Sequence, residues 1–343
     1  MIPPADLERW AQALLEASGL EADAAETVAV SLVDANRRAV DSHGVARLPA
    51  YSERLRAGYM NGRPQPQVER ADGAVALVDA DQGPGQVAGV LATDLSIELA
   101  RRHGAGVVAV HRSSHYGAAG YYAIRAAKAG MIGMSTTNSE PFVVPYGGVG
   151  HALGTNPIAL AAPTPDGIWD TDMATSQVAV NRIFNARDEG REIPLGWGVD
   201  ARGEPTTDPG EVFAAVPLGG YKGYALAVLV EVLSGVLSGS GVGHGVGRLY
   251  EDQHPQDVGH FHLAIDVDRL AGRERAAELL GRLLADLKQI PPAPGHDEVL
   301  VPGEPEARAR AERERDGIPL PPTLWTTLSE LSAELGVTTP ASG

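Results

Sequence analysis

The 343-residue chain contains no cysteine. Disulfides, thiolate catalysis and cysteine-ligated metal centres are therefore excluded. Positive charge is also scarce. Lys and Arg number 28 against 44 Asp and Glu, a formal net charge of −16 with a pI of about 5.0. Such a surface argues against non-specific binding to nucleic acid or an anionic membrane. An anionic substrate would need a local pocket of positive charge. Aromatics are sparse at 5%. No apolar run reaches membrane-spanning length. The apolar stretch GYALAVLVEVLSGVLSG (223–239) has 17 residues and carries Glu231, which suits a buried core helix. The opening MIPPADLERW reads as an acidic helix start and not as a leader, so a cytoplasmic protein is expected. There is no internal repeat.

The 43% apolar and 21% charged residues are ordinary for a globular protein, and the length allows a large core and two domains. In ADLERWAQALLEASG, Leu7, Trp10, Leu14 and Leu15 recur at helical spacing and Gly19 is a stop. A second helix is expected over about 24–40. Strands are expected at 74–80, 105–112, 131–138 and 260–267, with helices up to about 103, over 120–130 and over 272–289. Further helices fit 305–317 and 323–336. Residues 60–67 read as a loop, and 239–247 as low-complexity and flexible. Residues 139–220 combine Gly, Pro and Asn with short apolar runs, which suggests β-structure with long connections. The mixture is α/β or α+β.

One stretch approximates a dinucleotide turn. A strand is followed by Gly83, Gly85 and Gly89 and then a helix. The spacing is G-x-G-x-x-x-G, and Asp79, Asp81 and Pro84 crowd the turn, so the match is weak. The glycine cluster YGGVGHALG (146–154) is weaker, because Asn156-Pro157 forbids a clean helix start.

The sequence DSHGVARLPAY (41–51) concentrates chemistry where a helix ends. His43 can exchange protons near neutral pH, Ser42 can share a proton with a reacting oxygen, and Arg47 suits a carboxylate. A simple helix cap with a solvated arginine fits the residues equally well. HRSSHYGAAG (111–120) places two His and two Ser before a helix start suited to phosphate, or is a polar loop. GTNP (154–157), DTDMATS (170–176) and GGYKG (219–223) add hydroxyls and one glycine-flanked lysine. His260 and His262 alternate in a strand and read as a sheet face, so no metal site is expected.

In order, DSHGVARLPAY, HYGAAGYYAIRAAKAGMIGMSTTNS, VPYGGVGHALGTNPIALAAPT, DMATS, GYKGYALAVLVEVLSGVLSG and GHFHLAIDV closely resemble the malate/L-lactate dehydrogenase family of the second, non-Rossmann type. That family includes ureidoglycolate, sulfolactate and diketogulonate oxidoreductases and Δ1-piperideine-2-carboxylate reductases. The resemblance covers about residues 5–335. It implies an α+β fold with a non-Rossmann cofactor domain, a largely antiparallel sheet, and a helical domain built from both chain ends. Residues 1–114 and 275–343 would form the discontinuous substrate and dimerisation domain, and 115–274 the NAD(P)-binding domain. The glycine turn at 83–89 would then belong to the scaffold.

Carried over by motif, His43 is the acid/base, Ser42 its relay neighbour and Asp188 the relay carboxylate, with Glu189 as the alternative register. By the same resemblance, Arg47, His115 and Thr155 would bind substrate. His115, Tyr116, Gly117, Ala118, Ala119, Asp172, Met173, Ala174, Lys222, Gly303, Glu304 and Pro305 match cofactor positions. NADPH is favoured over NADH, with Arg182, Arg187, Arg308 and Arg310 available to a 2′-phosphate. The implied activity is hydride transfer to or from a small 2-oxo or 2-hydroxy acid in a homodimer, without nucleic acid, membrane or metal. A cyclic 2-imino acid reductase and an inactive scaffold subunit are the alternatives. Some relatives carry a lysine shortly after the TTN turn, whereas Ser139, Glu140 and Pro141 stand in that region here.

Overall fold

A computed structural model of the chain describes residues 1–250 and 253–340. Two amphipathic helices, α1 (Pro4–Ala17) and α2 (Ala22–Arg37), start the fold. They bury the stripe formed by Leu7, Trp10, Leu14, Val28 and Leu32. Two single 3-10 turns, Asp41–His43 and Val45–Arg47, lead into α3 (Leu48–Ala57). The middle of the chain then alternates: β1 (Gln67–Asp72), β2 (Val75–Asp79), α4 (Gly85–His103), β3 (Ala105–Ser113), α5 (Gly120–Lys128), β4 (Met131–Thr137), β5 (Ile158–Thr164) and β6 (Gly167–Met173). After α6 (Val180–Asp188), the strand pairs β7 (Gly198–Val199), β8 (Pro205–Thr206) and β9 (Ala214–Ala215) form a small separate sheet. The apolar helix α7 (Tyr221–Val230) continues into a π-helical segment, Glu231–Val236. The chain closes with β10 (Val258–Asp266), α8 (Arg273–Lys288), α9 (Glu304–Asp316) and α10 (Pro322–Leu335).

The main sheet has seven strands in the order β1-β2-β3-β10-β4-β5-β6. Only β2 and β3 pair in parallel, across α4; the other neighbours are antiparallel. The one βαβ unit is thus the segment that imitates a dinucleotide turn. Its glycines serve close packing instead. A Cβ at Gly85 would lie 2.3 Å from the Ser114 carbonyl oxygen, and one at Gly89 2.6 Å from the Tyr122 ring.

The largest core joins both chain ends. Ile318 and Leu328 pack with the stripes of α1, α2 and α3. Trp10 meets Trp325 at 5.5 Å between centroids and donates its indole N–H to Ser332 Oγ at 2.8 Å. The division expected at residue 114 falls just after β3 within the main sheet. Strand β3 lies on one side of it and hydrogen-bonds along β10 on the other, so one sheet runs through it. Helix α8, expected in the helical part, lies against β5.

His260 and His262 lie inside the molecule on β10, a strand with neighbours on both sides. His260 bonds Thr137 Oγ1 (3.0 Å) and Ser113 Oγ (2.7 Å), and His262 bonds Thr93 Oγ1 (3.0 Å). They are core histidines. Among the described residues, no helix is long and apolar enough to cross a membrane.

Candidate active site

The turn after α2 is built by side chains from three places. Asn36 Oδ1 accepts the Val45 N–H at 2.9 Å, and Asn36 Nδ2 donates to Asp41 at 2.6 Å. Arg313 of α9 binds both oxygens of Asp41 at 2.7 and 2.9 Å. Asp41 is therefore a brace, and the turn it braces presents Ser42 and His43 to a cavity of about 520 Å³.

His43 Nδ1 lies 2.9 Å from Ser42 Oγ. Arg47 donates from Nε to the Ser42 carbonyl at 2.7 Å. Its outer edge meets the Tyr250 hydroxyl and lies 5.7 Å from that ring. The His43 and His115 rings stack at 5.7 Å and 17°. Burial first, and then the Arg47 cation, lowers the His43 imidazole to about 3. Burial, Arg47, His43 and His260 together hold His115 well below the usual histidine range. Two neutral imidazoles therefore lie beside one guanidinium.

The opposite wall is acidic. Arg38, the C-cap of α2, is ion-paired with Asp170 of β6, and both are buried. Asp172, two residues on, accepts the Gly120 N–H at 2.7 Å. Burial pushes its carboxyl up to about 6 against that hydrogen bond. Glu306 lines the same wall. Gly117, Ala118 and Ala119 line it with almost no side chain, as do Ala174, Gly303 and Pro305. Gly303 has φ of 82°, and a Cβ there would sit 2.6 Å from the Asp170 carbonyl oxygen. Volume, small-residue lining and polar rim suit a flat heterocycle joined to a ribose, so the cavity fits a nicotinamide nucleotide. Thr155 lines it too, its N–H held by Ser139 Oγ at 3.0 Å.

Several expected site residues do not line this cavity; Arg47 and His115 stand just behind it, in contact with Ser42 and His43. Asp188 ends α6 with its carboxylate 68% exposed and paired to Arg187 at 3.2 Å. Glu189, the alternative register, pairs with Arg191 at 2.5 Å. Neither lines the cavity, and the partner seen on His43 is Ser42. Tyr116 is a core residue, 1% exposed, stacked on His260 with its hydroxyl 3.1 Å from Ser135 Oγ. Met173 is exposed, Lys222 is exposed in the first turn of α7, and Glu304 pairs with Lys288 and Arg308. None of these three lines the cavity. Sequence reasoning missed Arg38 and Asp170. An arginine at a helix end and the acids of DTDMATS were the available signals.

Glu69, Asp79 and His111 are the residues among those described whose ligand atoms come together as a metal would need. Asp79 is bound by Arg112 and His111 by Glu69, and none of the three lines the cavity.

The family model described as malate/L-lactate dehydrogenase matches residues 2–329. The chain is 38% identical over 346 residues to a malate dehydrogenase of Pyrococcus abyssi, covering 98% of this chain and 95% of that protein. It is 37% identical over 303 residues to the ureidoglycolate dehydrogenase (NAD(+)) of Escherichia coli strain K12, covering 88% and 87%. The solved sulfolactate dehydrogenase of Methanocaldococcus jannaschii superposes with a TM-score of 0.92 at 36% identity, over 98% of this chain and 97% of that one.

Proposed function

We propose, from the premise that the chain belongs to the malate/L-lactate dehydrogenase family and is a nicotinamide-dependent oxidoreductase, that it interconverts a small 2-hydroxy acid and its 2-oxo acid. The observation that carries this reading is the Ser42–His43 pair on the cavity wall, with Arg47 directly behind it. Arg47 anchors the substrate carboxylate through its outer edge, exchanging the Tyr250 hydroxyl for a carboxylate oxygen. His43, neutral and held by Ser42, accepts the proton of the substrate hydroxyl during oxidation. Burial is the larger cause that lowers His43 and the Arg47 cation the smaller; a carboxylate arriving on Arg47 offsets the smaller one and so moves His43 toward the protonated imidazole that the reverse direction needs. Thr155, which lines the same cavity, contacts substrate. A bound nicotinamide accepts or supplies the hydride.

The charge of the far wall supports NADH over NADPH, the reverse of the expectation from the arginines. Asp170, Asp172 and Glu306 face the cavity, and the one cation among them, Arg38, is already paired. Carboxylates accept from ribose hydroxyls and repel a 2′-phosphate. Arg308 is occupied by Glu298 and Glu304, Arg310 by Asp34 and Arg187 by Asp188.

A homodimer is supported by the outer face of α7 and its π-helical extension, where Leu229, Val232 and Val236 are 43%, 49% and 63% exposed. The test is an absorbance assay with NADH or NADPH against pyruvate, oxaloacetate, sulfopyruvate, a diketogulonate-type acid and Δ1-piperideine-2-carboxylate, with light scattering for mass. Turnover of a 2-oxo acid with NADH is expected. Turnover of the cyclic imine alone would replace the hydroxy-acid reading, and NADH binding without any turnover would favour the inactive subunit.

A further inference from the structure

A hydrogen-bonded chain reaches His115 from the interior. Gln86, near the start of α4, donates from Nε2 to the Tyr51 hydroxyl at 2.8 Å. The Tyr51 hydroxyl lies 2.6 Å from His115 Nδ1. Both Gln86 and Tyr51 are 0% exposed. The direction of the chain follows from its ends. The Gly117 backbone N–H also points at His115 Nδ1, at 3.4 Å, and a backbone N–H can only donate. Nδ1 is therefore an acceptor. The Tyr51 oxygen receives the Gln86 proton, which leaves its own proton for Nδ1. Its other acceptor in reach, the His115 carbonyl at 3.4 Å, is farther from the hydroxyl than Nδ1 at 2.6 Å. Burial pushes the Tyr51 hydroxyl upward, so it stays protonated and remains a donor. A neutral imidazole that accepts at Nδ1 carries its proton on Nε2.

The backbone completes the clamp. The His115 N–H donates to Gln256 Oε1 at 3.1 Å, and the ring stacks on His43. The Gln86 amide oxygen has no partner, so the bond to Tyr51 is the polar contact this buried side chain makes. A buried amide with a single use is costly to keep for packing alone.

We infer that Tyr51, backed by Gln86, is a positioning residue that holds His115 as its Nε2–H tautomer, a fixed hydrogen-bond donor to the substrate. The inference rests on the reading, implied by the family resemblance, that His115 reaches the substrate beside His43, on which its ring stacks; His43 lines the cavity and His115 lies behind it. A neutral Nε2–H stabilises negative charge growing on a substrate oxygen, whereas the opposite tautomer would present a lone pair and repel it. The wrong tautomer of an active-site histidine is costly in rate even where the fold is intact.

The experiment is nitrogen-15 NMR of the full chain labelled in its histidine imidazoles, with His115 assigned by the signals lost in His115→Gln. At neutral pH, His115 of the unsubstituted protein shows a protonated Nε2 and a bare Nδ1. In Tyr51→Phe those two signals move toward each other as the tautomers mix, and in Gln86→Met they move part of the way. kcat falls by at least about tenfold in Tyr51→Phe, with a smaller change in KM. A bare Nε2 in the unsubstituted protein overturns the inference, whatever the activity. So does an unchanged His115 spectrum in Tyr51→Phe, or in Gln86→Met if the first variant does not fold. A mixed tautomer with undiminished kcat leaves Tyr51 in control of the ring and overturns its link to the substrate.

Discussion

Replacing Arg38 with methionine removes a charge and keeps most of the chain's bulk. Arg38 caps α2 in the helical layer, and its guanidinium reaches Asp170 on β6, so the pair ties layer to sheet at the cavity wall. The two side chains are 5% and 11% exposed. Removing one partner of a buried pair leaves the other charge uncompensated, a loss of about 3–5 kcal/mol. That is a large share of the roughly 5–15 kcal/mol that holds a protein folded. The sign of its pH dependence follows from Asp170. Burial already raises that carboxyl, and Arg38 opposes the rise. Without Arg38 it rises further, so the folded form takes up a proton before the unfolded chain does. The deficit of Arg38→Met is therefore full at high pH and shrinks as pH falls toward the raised value. Urea unfolding at about pH 8 and about pH 5.5, at one protein concentration, measures this in Arg38→Met, Asp170→Asn and the double variant. The double variant should recover part of the loss, since the pair fails together. A loss below about 1 kcal/mol at the higher pH would refute the reasoning, because that is the scale of an exposed pair. A deficit that grows on acidification would refute it equally.

His43→Ala should lower kcat by about 10²–10⁴ while NADH fluorescence titration still reports binding; near-normal turnover removes His43 from the proton transfer. Arg47→Lys loses the outer edge of the guanidinium fork and should raise KM for every carboxylate substrate by about tenfold or more. An unchanged KM counts against Arg47 as the anchor. Burial lowers His262 to about 3, below its unfolded value, so its stabilising contribution is complete above pH ~6.5 and is lost as pH falls toward 3. That single group predicts about 2 kcal/mol less stability at pH ~5 than at pH ~7. His262→Gln should flatten the stability–pH curve by that amount, and curves that stay parallel would contradict it.

The elements with strong periodicity are legible in the sequence because period alone encodes them. The stripes of α1 and α2, the apolar strand β10 and the small-residue helix α5 fall where their spacing places them. Three elements are not legible, one of them α6 (Val180–Asp188), a helix inside the stretch 139–220 whose Gly, Pro and Asn content reads as β-structure with long connections. Strand β1 reads as polar throughout because it is an edge strand exposed along its whole length. Helix α3 begins directly after a 3-10 turn, and its Pro49 masks a start that proline tolerates in a first helical turn.

The candidate site divides in the same way. Ser42, His43 and Arg47 are close in sequence, so one short motif carries both the residues and their mutual contacts. The cofactor wall is legible where small residues are contiguous, as at Gly117, Ala118 and Ala119. Arg38 and Asp170 meet across 132 residues, and no local pattern pairs them. Asp188 is assigned from its place in a motif, and a motif carries no exposure: α6 ends with that carboxylate in solvent beside Arg187. The sequence by itself determined which chemistry is present, since residue types and short spacings are local. Only the tertiary structure decided which charges are buried together, and hence that the histidines are neutral and the far wall acidic. Burial and distance are properties of the folded chain, and they shift the protonation of His43, Asp170 and Asp172.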